Sequence, residues 1–342
     1  MTIEPYGTTP LGEAVRRVTI EDGIRIQVLT FGAILERIEL PDGTNVALGL
    51  DNLEDYATRS PHFGAIAGRY AGRIGGARFM LDGVVYHLPR NEGGNTLHGG
   101  PHGFSKRVWS IERTSRDAVT LAYVSADGEE GFPGRLQTRL TYSIAGQTLR
   151  IEYEATTDRP TVLNLTNHSY FNLGGEGSGD VYDHVVRIWG AEVLETDAAS
   201  IPTGRFLEVE GTPFDFRTPH AIGERIRVAH PQIVFGLGYD QCFVLDGRGM
   251  RQAAKVMHLQ SGRALEVWTD QPGLQFYTGN KLTGALVGPS GRTYRSGDGF
   301  CLETQHYPDS PNHPNFPSTV LRPDHVFRSA TEYRFSTGGT EG

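Results

Sequence analysis

The chain has 342 residues, of which 38% are hydrophobic and 21% charged, and carries a formal net charge of −8. This is the composition of a soluble globular protein; the dispersed acidity argues against nucleic-acid binding, and no apolar run reaches membrane-spanning length. Cys242 and Cys301 are the only cysteines and both lie in apolar, strand-like runs. Two buried thiols in a reducing compartment fit that placement better than a disulfide or a metal site. The opening Met-Thr-Ile-Glu-Pro-Tyr-Gly has no basic segment followed by an apolar one, so cytoplasm is the expected location.

In chain order, the pattern from Val15 onward predicts short strands broken by turns. Ile24–Leu29 and Ile34–Leu40 are strands, the second closed by Pro41-Asp42-Gly43. A short helix is expected near Asn52–Tyr56. Arg78–Leu81, Asp82-Gly83 and Val84–Leu88 form the strongest hairpin signal. Leu136, Thr138, Leu140, Tyr142 and Ile144 alternate with Gln137, Arg139, Thr141 and Ser143; Ala145-Gly146-Gln147 then turns the chain into Thr148–Ala155. Leu163–Leu173 opens as a half-buried strand. Further strands are expected at Val185–Ile188, Cys242–Leu245, Ala254–Leu259, Leu265–Thr269, Leu274–Thr278 and Phe300–Thr304. With 44 Gly and 19 Pro and no stretch that reads as a linker, these elements predict one large antiparallel all-β sandwich spanning residues 1–342, with few short helices. The Gly- and Thr-rich tail 336–342 is expected to be disordered.

Several stretches carry chemistry. Phe63–Gly76 is glycine-rich and contains Arg69 and Arg73, which could be offered to a polar ligand or lie solvated on a turn. No Gly-Lys-Ser/Thr follows, so it is not a phosphate loop. His98 and His102 have metal-like spacing, but Gly and Pro between them forbid the helix that would bring both onto one face. Asp240 precedes an apolar strand. Gln271–Asn280 mixes amides with aromatics, a combination suited to sugars, whose ring faces stack on aromatics while hydroxyls take hydrogen bonds. His168 follows Asn167 in Leu163–Leu173, and Glu303 sits inside the otherwise apolar run Gly299–His306. Carboxylates seldom occupy such runs without a partner or a task, and a strand-borne His with a strand-borne Glu could form an acid/base pair.

Taken together these segments resemble the aldose 1-epimerase family, the galactose mutarotases. The resemblance runs from about Phe31 to the chain end. It rests on Gly68-Arg69-Tyr70-Ala71-Gly72-Arg73-Ile74, Leu97-His98-Gly99-Gly100, Asp127–Gly134, Asn164–Leu173, Gln271–Asn280 and Cys301-Leu302-Glu303-Thr304-Gln305. It implies a supersandwich with a sugar cleft on one sheet, and an enzyme that interconverts α and β anomers of free aldohexoses such as galactose and glucose. By the same resemblance His168 matches the general acid, Glu303 the general base and His98 a second active-site histidine, while Arg73, Asp240 and Gln275 match residues that hold sugar hydroxyls. Two positions depart from the family pattern. Gly72 stands where Asn is frequent before the arginine, and Gln241 where His is frequent after the aspartate; both bear on the preferred sugar.

Anomer interconversion moves only protons, so no metal or other cofactor is expected. The partner is a monosaccharide, with no nucleic acid or membrane, and the chain is expected to act as a monomer or homodimer. An unshifted Glu is ionised near neutrality, and its charge would favour a protonated His168. Competing readings are a hexose-6-phosphate epimerase, which would want a denser arginine cluster, a glycoside hydrolase or lyase using Asp240 as a second acid, and a sugar-binding module without chemistry.

Overall fold

The computed structural model describes residues 1–337. A nine-stranded antiparallel sheet runs in the order Ser110–Thr114, Ala118–Ser125, Leu136–Ala145, Thr148–Thr157, Phe327–Thr337, Arg263–Thr269, Arg251–His258, Val185–Ile188 and His220–Ala221. The alternation in Leu136–Ala145 acts as its period of two requires: Leu136, Leu140 and Tyr142 are buried while Gln137 and Arg139 are exposed. Leu136–Ala145 pairs in register with Thr148–Thr157, and the hairpin Arg78–Leu81 with Val84–His87 is present.

A five-stranded sheet, ordered Pro202–Glu208, Glu192–Thr196, Asp240–Val244, Gly273–Tyr277 and Cys301–Gln305, is the element that builds the site. One face carries Phe243, Leu274, Phe276 and Leu302, which join a single core cluster with Leu265, Val267 and Tyr333 of the nine-stranded sheet. Each such side chain contributes about 1.5–3 kcal/mol by leaving water. Burial of that face forces the residues between them to the opposite side. Asp240 pairs with Tyr277, Cys242 with Gln275, Gln275 with Glu303, and Tyr277 with Cys301. Residues directly opposite share a face, so these polar groups stand together.

The segment Leu163–Leu173 departs from the half-buried strand expected of it. Every residue in it is buried, and only Thr166–Asn167 forms a strand, paired with Ile66–Ala67. Asparagine amides replace the missing ladder: Asn164 donates to the Ala71 and His306 carbonyls and Asn167 to the Gly64 carbonyl. The segment is therefore fixed from both sides, which a water-facing strand is not.

The helix signal near Asn52 is a helix over Leu53–Thr58, capped by the Asn52 side chain accepting from the Asp55 amide. Two more short helices, Ile222–Arg225 and Pro231–Gly236, lie where no helix was expected; neither is long enough to show a helical period. Ser336 and Thr337, expected in a disordered tail, continue the last strand opposite Ala264 and Arg263; 338–342 lie outside the described residues. Both cysteines are free and buried. Among the described residues no helix is long and apolar enough to cross a membrane.

Of the two arginines in the glycine-rich loop, Arg69 is neither offered to a ligand nor solvated. It is 2% exposed and donates to the carbonyls of Pro133 (2.8 Å), Gly134 (2.9 Å) and Ala126 (3.1 Å) and to the Ser125 hydroxyl. It is the internal tie for the Asp127–Gly134 turn. Arg69→Leu should strand these acceptors in the interior and lower the unfolding free energy by about 3 kcal/mol, measured as a shift of the urea midpoint.

Candidate active site

The polar face of the five-stranded sheet floors a cleft of about 120 Å³, room for roughly ten water-sized atoms and so the size class of a monosaccharide. Gln275 and Glu303 lie on its floor with Asp240, Tyr277 and Gln305; its walls include His62, Arg73, His98, His168 and Pro308. All six residues singled out from the sequence, His168, Glu303, His98, Arg73, Asp240 and Gln275, line this one cleft. His102 is exposed and lies apart from it.

His168 Nε2 is 3.7 Å from Glu303 Oε1, and both side chains are almost fully buried. The Tyr170 ring stacks on one side of the imidazole at 5.1 Å between centroids, and His62 lies parallel to it at 5.8 Å. Burial pushes the His168 imidazole down to about 4. Burial, reinforced by the Asp240 charge and opposed by Arg73, holds the Glu303 carboxyl well above the ordinary carboxylate range. The expected effect of the carboxylate on His168 is thus outweighed by desolvation: between these limits the pair holds one proton, and isolation from water favours two neutral groups.

The strand Arg73–Ile74 pairs with Thr96–Leu97, which carries His98 to the cleft beside Gly72. The Gly72 amide donates to His98 Nδ1 at 3.2 Å. The ring proton therefore sits on Nε2, and burial keeps the ring neutral, so His98 is built as a hydrogen-bond donor. Although ligand atoms of His98, His168 and Glu303 lie within 4.8 Å of one another, that tautomer leaves His98 no free lone pair for a cation. A second group, Asp183, His184 and His258, is likewise self-satisfied, because the Leu173 amide donates to His184 Nε2, which leaves the ring proton on Nδ1 to be donated to Asp183 Oδ1.

Around the sugar-sized space, Gln275 Nε2 donates to Asp240 Oδ1 at 2.7 Å. Arg73 forks onto Glu92 and lies 3.9 Å from Asp240 Oδ2. Gln275 Oε1 and Gln305 Oε1 are buried without a partner, which leaves two acceptors for hydroxyl donors. Sequence reasoning missed His62, Gln305 and Glu92. His62 gave no signal, being a loop residue held at φ 69 with its Nδ1 on Ser105 Oγ. Gln305 could have been found, since it falls two residues after Glu303 on the same strand face.

The two departures from the family pattern are not equivalent. Gln241 points to the back of the sheet, donating to the Gln232 carbonyl and accepting from the Asp240 amide, and does not line the cleft. Gly72 does line it, at φ +75, where a Cβ would meet Pro308 Cγ at 2.9 Å.

A buried imidazole beside a buried carboxyl in a sugar-sized cleft, ringed by amides and an arginine on an antiparallel sandwich, is the arrangement of a carbohydrate-binding site with an acid/base pair. The family model for aldose 1-epimerase matches residues 16–334. Galactose mutarotase of Bos taurus is 43% identical over 338 residues, covering 97% of each chain, and aldose 1-epimerase of Escherichia coli (strain K12) is 39% identical over 98% of this chain and 99% of its own. The crystal structure of galactose 1-epimerase from Lactobacillus acidophilus NCFM superposes with a TM-score of 0.88 at 29% identity, covering 99% of both chains. The chain belongs to the aldose 1-epimerase family and is an isomerase that interconverts sugar anomers.

The Gly72–Pro308 contact has a measurable consequence. Gly72→Ala adds a Cβ in a left-handed backbone conformation against the proline ring, and should cost about 2–4 kcal/mol of stability, read from urea unfolding.

Proposed function

We propose that the cleft binds a free aldohexose, galactose or glucose, and that Glu303 and His168 open and reclose its ring. The observation that carries this reading is the 3.7 Å approach of His168 Nε2 to Glu303 Oε1 inside a cleft with unpartnered amide oxygens. The names of the mutarotase relatives support galactose as a substrate.

Ring opening requires the C1 hydroxyl to lose a proton while the ring oxygen gains one. Glu303 takes the hydroxyl proton as the C1–ring oxygen bond breaks, and His168 delivers its proton to the ring oxygen, leaving an open-chain aldehyde. Rotation about the C1–C2 bond presents the other carbonyl face. On reclosure His168 takes the proton back and Glu303 returns its own to the oxygen on C1. The pair ends with the same single proton, so no redox change occurs and side chains suffice.

The inverted proton affinities serve this exchange. A carboxylate that burial and Asp240 make basic is an effective base, and a desolvated imidazolium is an effective acid. Hydroxyl donors entering the cleft favour the carboxylate form of Glu303, and the shared proton passes to His168. His98, locked as a donor, hydrogen-bonds to the reacting oxygens, while Arg73, Asp240 and Gln275 hold the remaining hydroxyls. A phosphorylated substrate is poorly served: Arg69 is turned inward and Arg73 is tied to Glu92.

Glu303→Gln and His168→Asn should each lower kcat for galactose mutarotation by at least about 10²-fold with unchanged far-UV circular dichroism. Polarimetry on freshly dissolved sugar checks this, and a wild-type rate in either variant defeats the assignment. The pH profile of kcat/KM offers a separate check. Activity should be lost on the acid side as His168 takes the second proton near pH 4, well below an ordinary imidazole. On the alkaline side it should fall only above the usual carboxylate range, as Glu303 gives up the last proton.

A further inference from the structure

Glu92 lies on the turn between Asn91 and Asn95, outside every motif read from the sequence. Its side chain nonetheless reaches the cleft wall. Arg73 Nε donates to Glu92 Oε2 at 2.6 Å and Arg73 Nη2 to Glu92 Oε1 at 3.0 Å, a two-pronged charge-assisted fork. Lys281 Nζ donates to the same Oε1 at 3.0 Å from the rim. The turn itself does not need this carboxylate, because the backbone of Glu92 already pairs with that of Asn95.

The fork decides where the Arg73 charge sits. Arg73 Nη2 stops 3.9 Å from Asp240 Oδ2, beyond hydrogen-bond distance. Asp240 Oδ1 is bound by Gln275, and no hydrogen bond reaches Oδ2 among the described residues. Released from Glu92, the guanidinium would close on that oxygen, which belongs to the next carboxylate in reach at 3.9 Å. Two properties of the site would change together. The free oxygen of Asp240 would be lost to sugar hydroxyls, and the Asp240 charge beside Glu303 would be neutralised.

We propose that Glu92 is a positioning residue: it draws the Arg73 guanidinium off Asp240, keeping one Asp240 oxygen free of a hydrogen bond and open to substrate, and the Asp240 charge only loosely paired beside the Glu303 base. The groups facing Glu303 make this lever effective. His168 shares its proton, and Cys242, Cys301 and Tyr277 remain uncharged because burial pushes their ionisation up; the same holds for Tyr170 and Tyr333, and His98 is neutral. Asp240 and Arg73 are thus the fixed charges acting on Glu303, and Glu92 sets the balance between them.

The inference rests on the reading of Glu303 as the base, and its test separates the two. Glu92→Gln keeps the shape and removes the charge. For galactose mutarotation followed by polarimetry, KM should rise about tenfold as a charged hydroxyl contact is lost. The alkaline limb of kcat/KM should move down by about one pH unit as Arg73 pairs with Asp240. In an Asp240→Asn background the same change should move the limb by less, because only the direct action of Arg73 on Glu303 remains. A purely structural Glu92 would lower the melting temperature and leave the limb in place. A wild-type alkaline limb in Glu92→Gln, or an equal displacement in the Asp240→Asn background, overturns the proposal. Neither result touches the role of Glu303, which stands or falls with Glu303→Gln.

Discussion

Two ionisable groups are buried against each other in this protein, each almost wholly withdrawn from water. His168 and Glu303 are each at most 5% exposed, a condition that costs several kcal/mol for any isolated charge. Sharing one proton meets that cost, because the pair can exist as two neutral groups, the form that isolation from water favours. A site open to water would hold the carboxylate and the imidazole at their ordinary affinities, and each would be a weaker base or acid.

Holding the pair in place falls to elements that spend polar groups on backbone rather than on ligand. His168 is carried by a segment buried on both sides, whose ladder is replaced by the amides of Asn164 and Asn167. Glu303 is carried by a strand whose other face, through Leu302, lies in the main core. Thr304 and Thr331 hydroxyls meet at 2.5 Å between the two sheets, tying the Glu303 strand to the nine-stranded sheet. Arg69, which looks like a ligand residue in the sequence, does the same for the Asp127–Gly134 turn. The motifs that identify the family therefore divide into residues that face the cleft and residues that hold it open.

That division marks what the sequence could disclose. The strands with clean alternation, Leu136–Ala145 and Thr148–Thr157, were legible because one face meets the core and the other meets water. The carboxylate at Glu303 was legible because it breaks an apolar run. Leu163–Leu173 was misread because burial on both faces erases the alternation on which the reading depends, and the two short helices after Ala221 contain too few residues to show a period. Arg69 and Arg73 are indistinguishable by composition; which of them turns inward is decided by the carbonyls of a turn more than fifty positions away in the chain. Proton affinities were wrong in sign at His168 for a related reason. The neighbouring charge is visible in a motif, but the desolvation that outweighs it exists only once the core has formed.

The unpartnered oxygens of Gln275 and Gln305 complete the physical account. A buried acceptor without a donor costs about 1–3 kcal/mol, and hydrophobic floor residues would make a more stable sheet. Both amides lie on the face that also carries Asp240 and Glu303, so the cost is concentrated where hydroxyl donors arrive. On the proposed function an entering aldose would supply those donors, and part of its binding energy would come from satisfying acceptors that the folded chain leaves unmet. On the proposed mechanism the same hydroxyls stabilise the carboxylate form of Glu303 and drive the shared proton to His168. Substrate binding and activation of the proposed acid/base pair would then be one event.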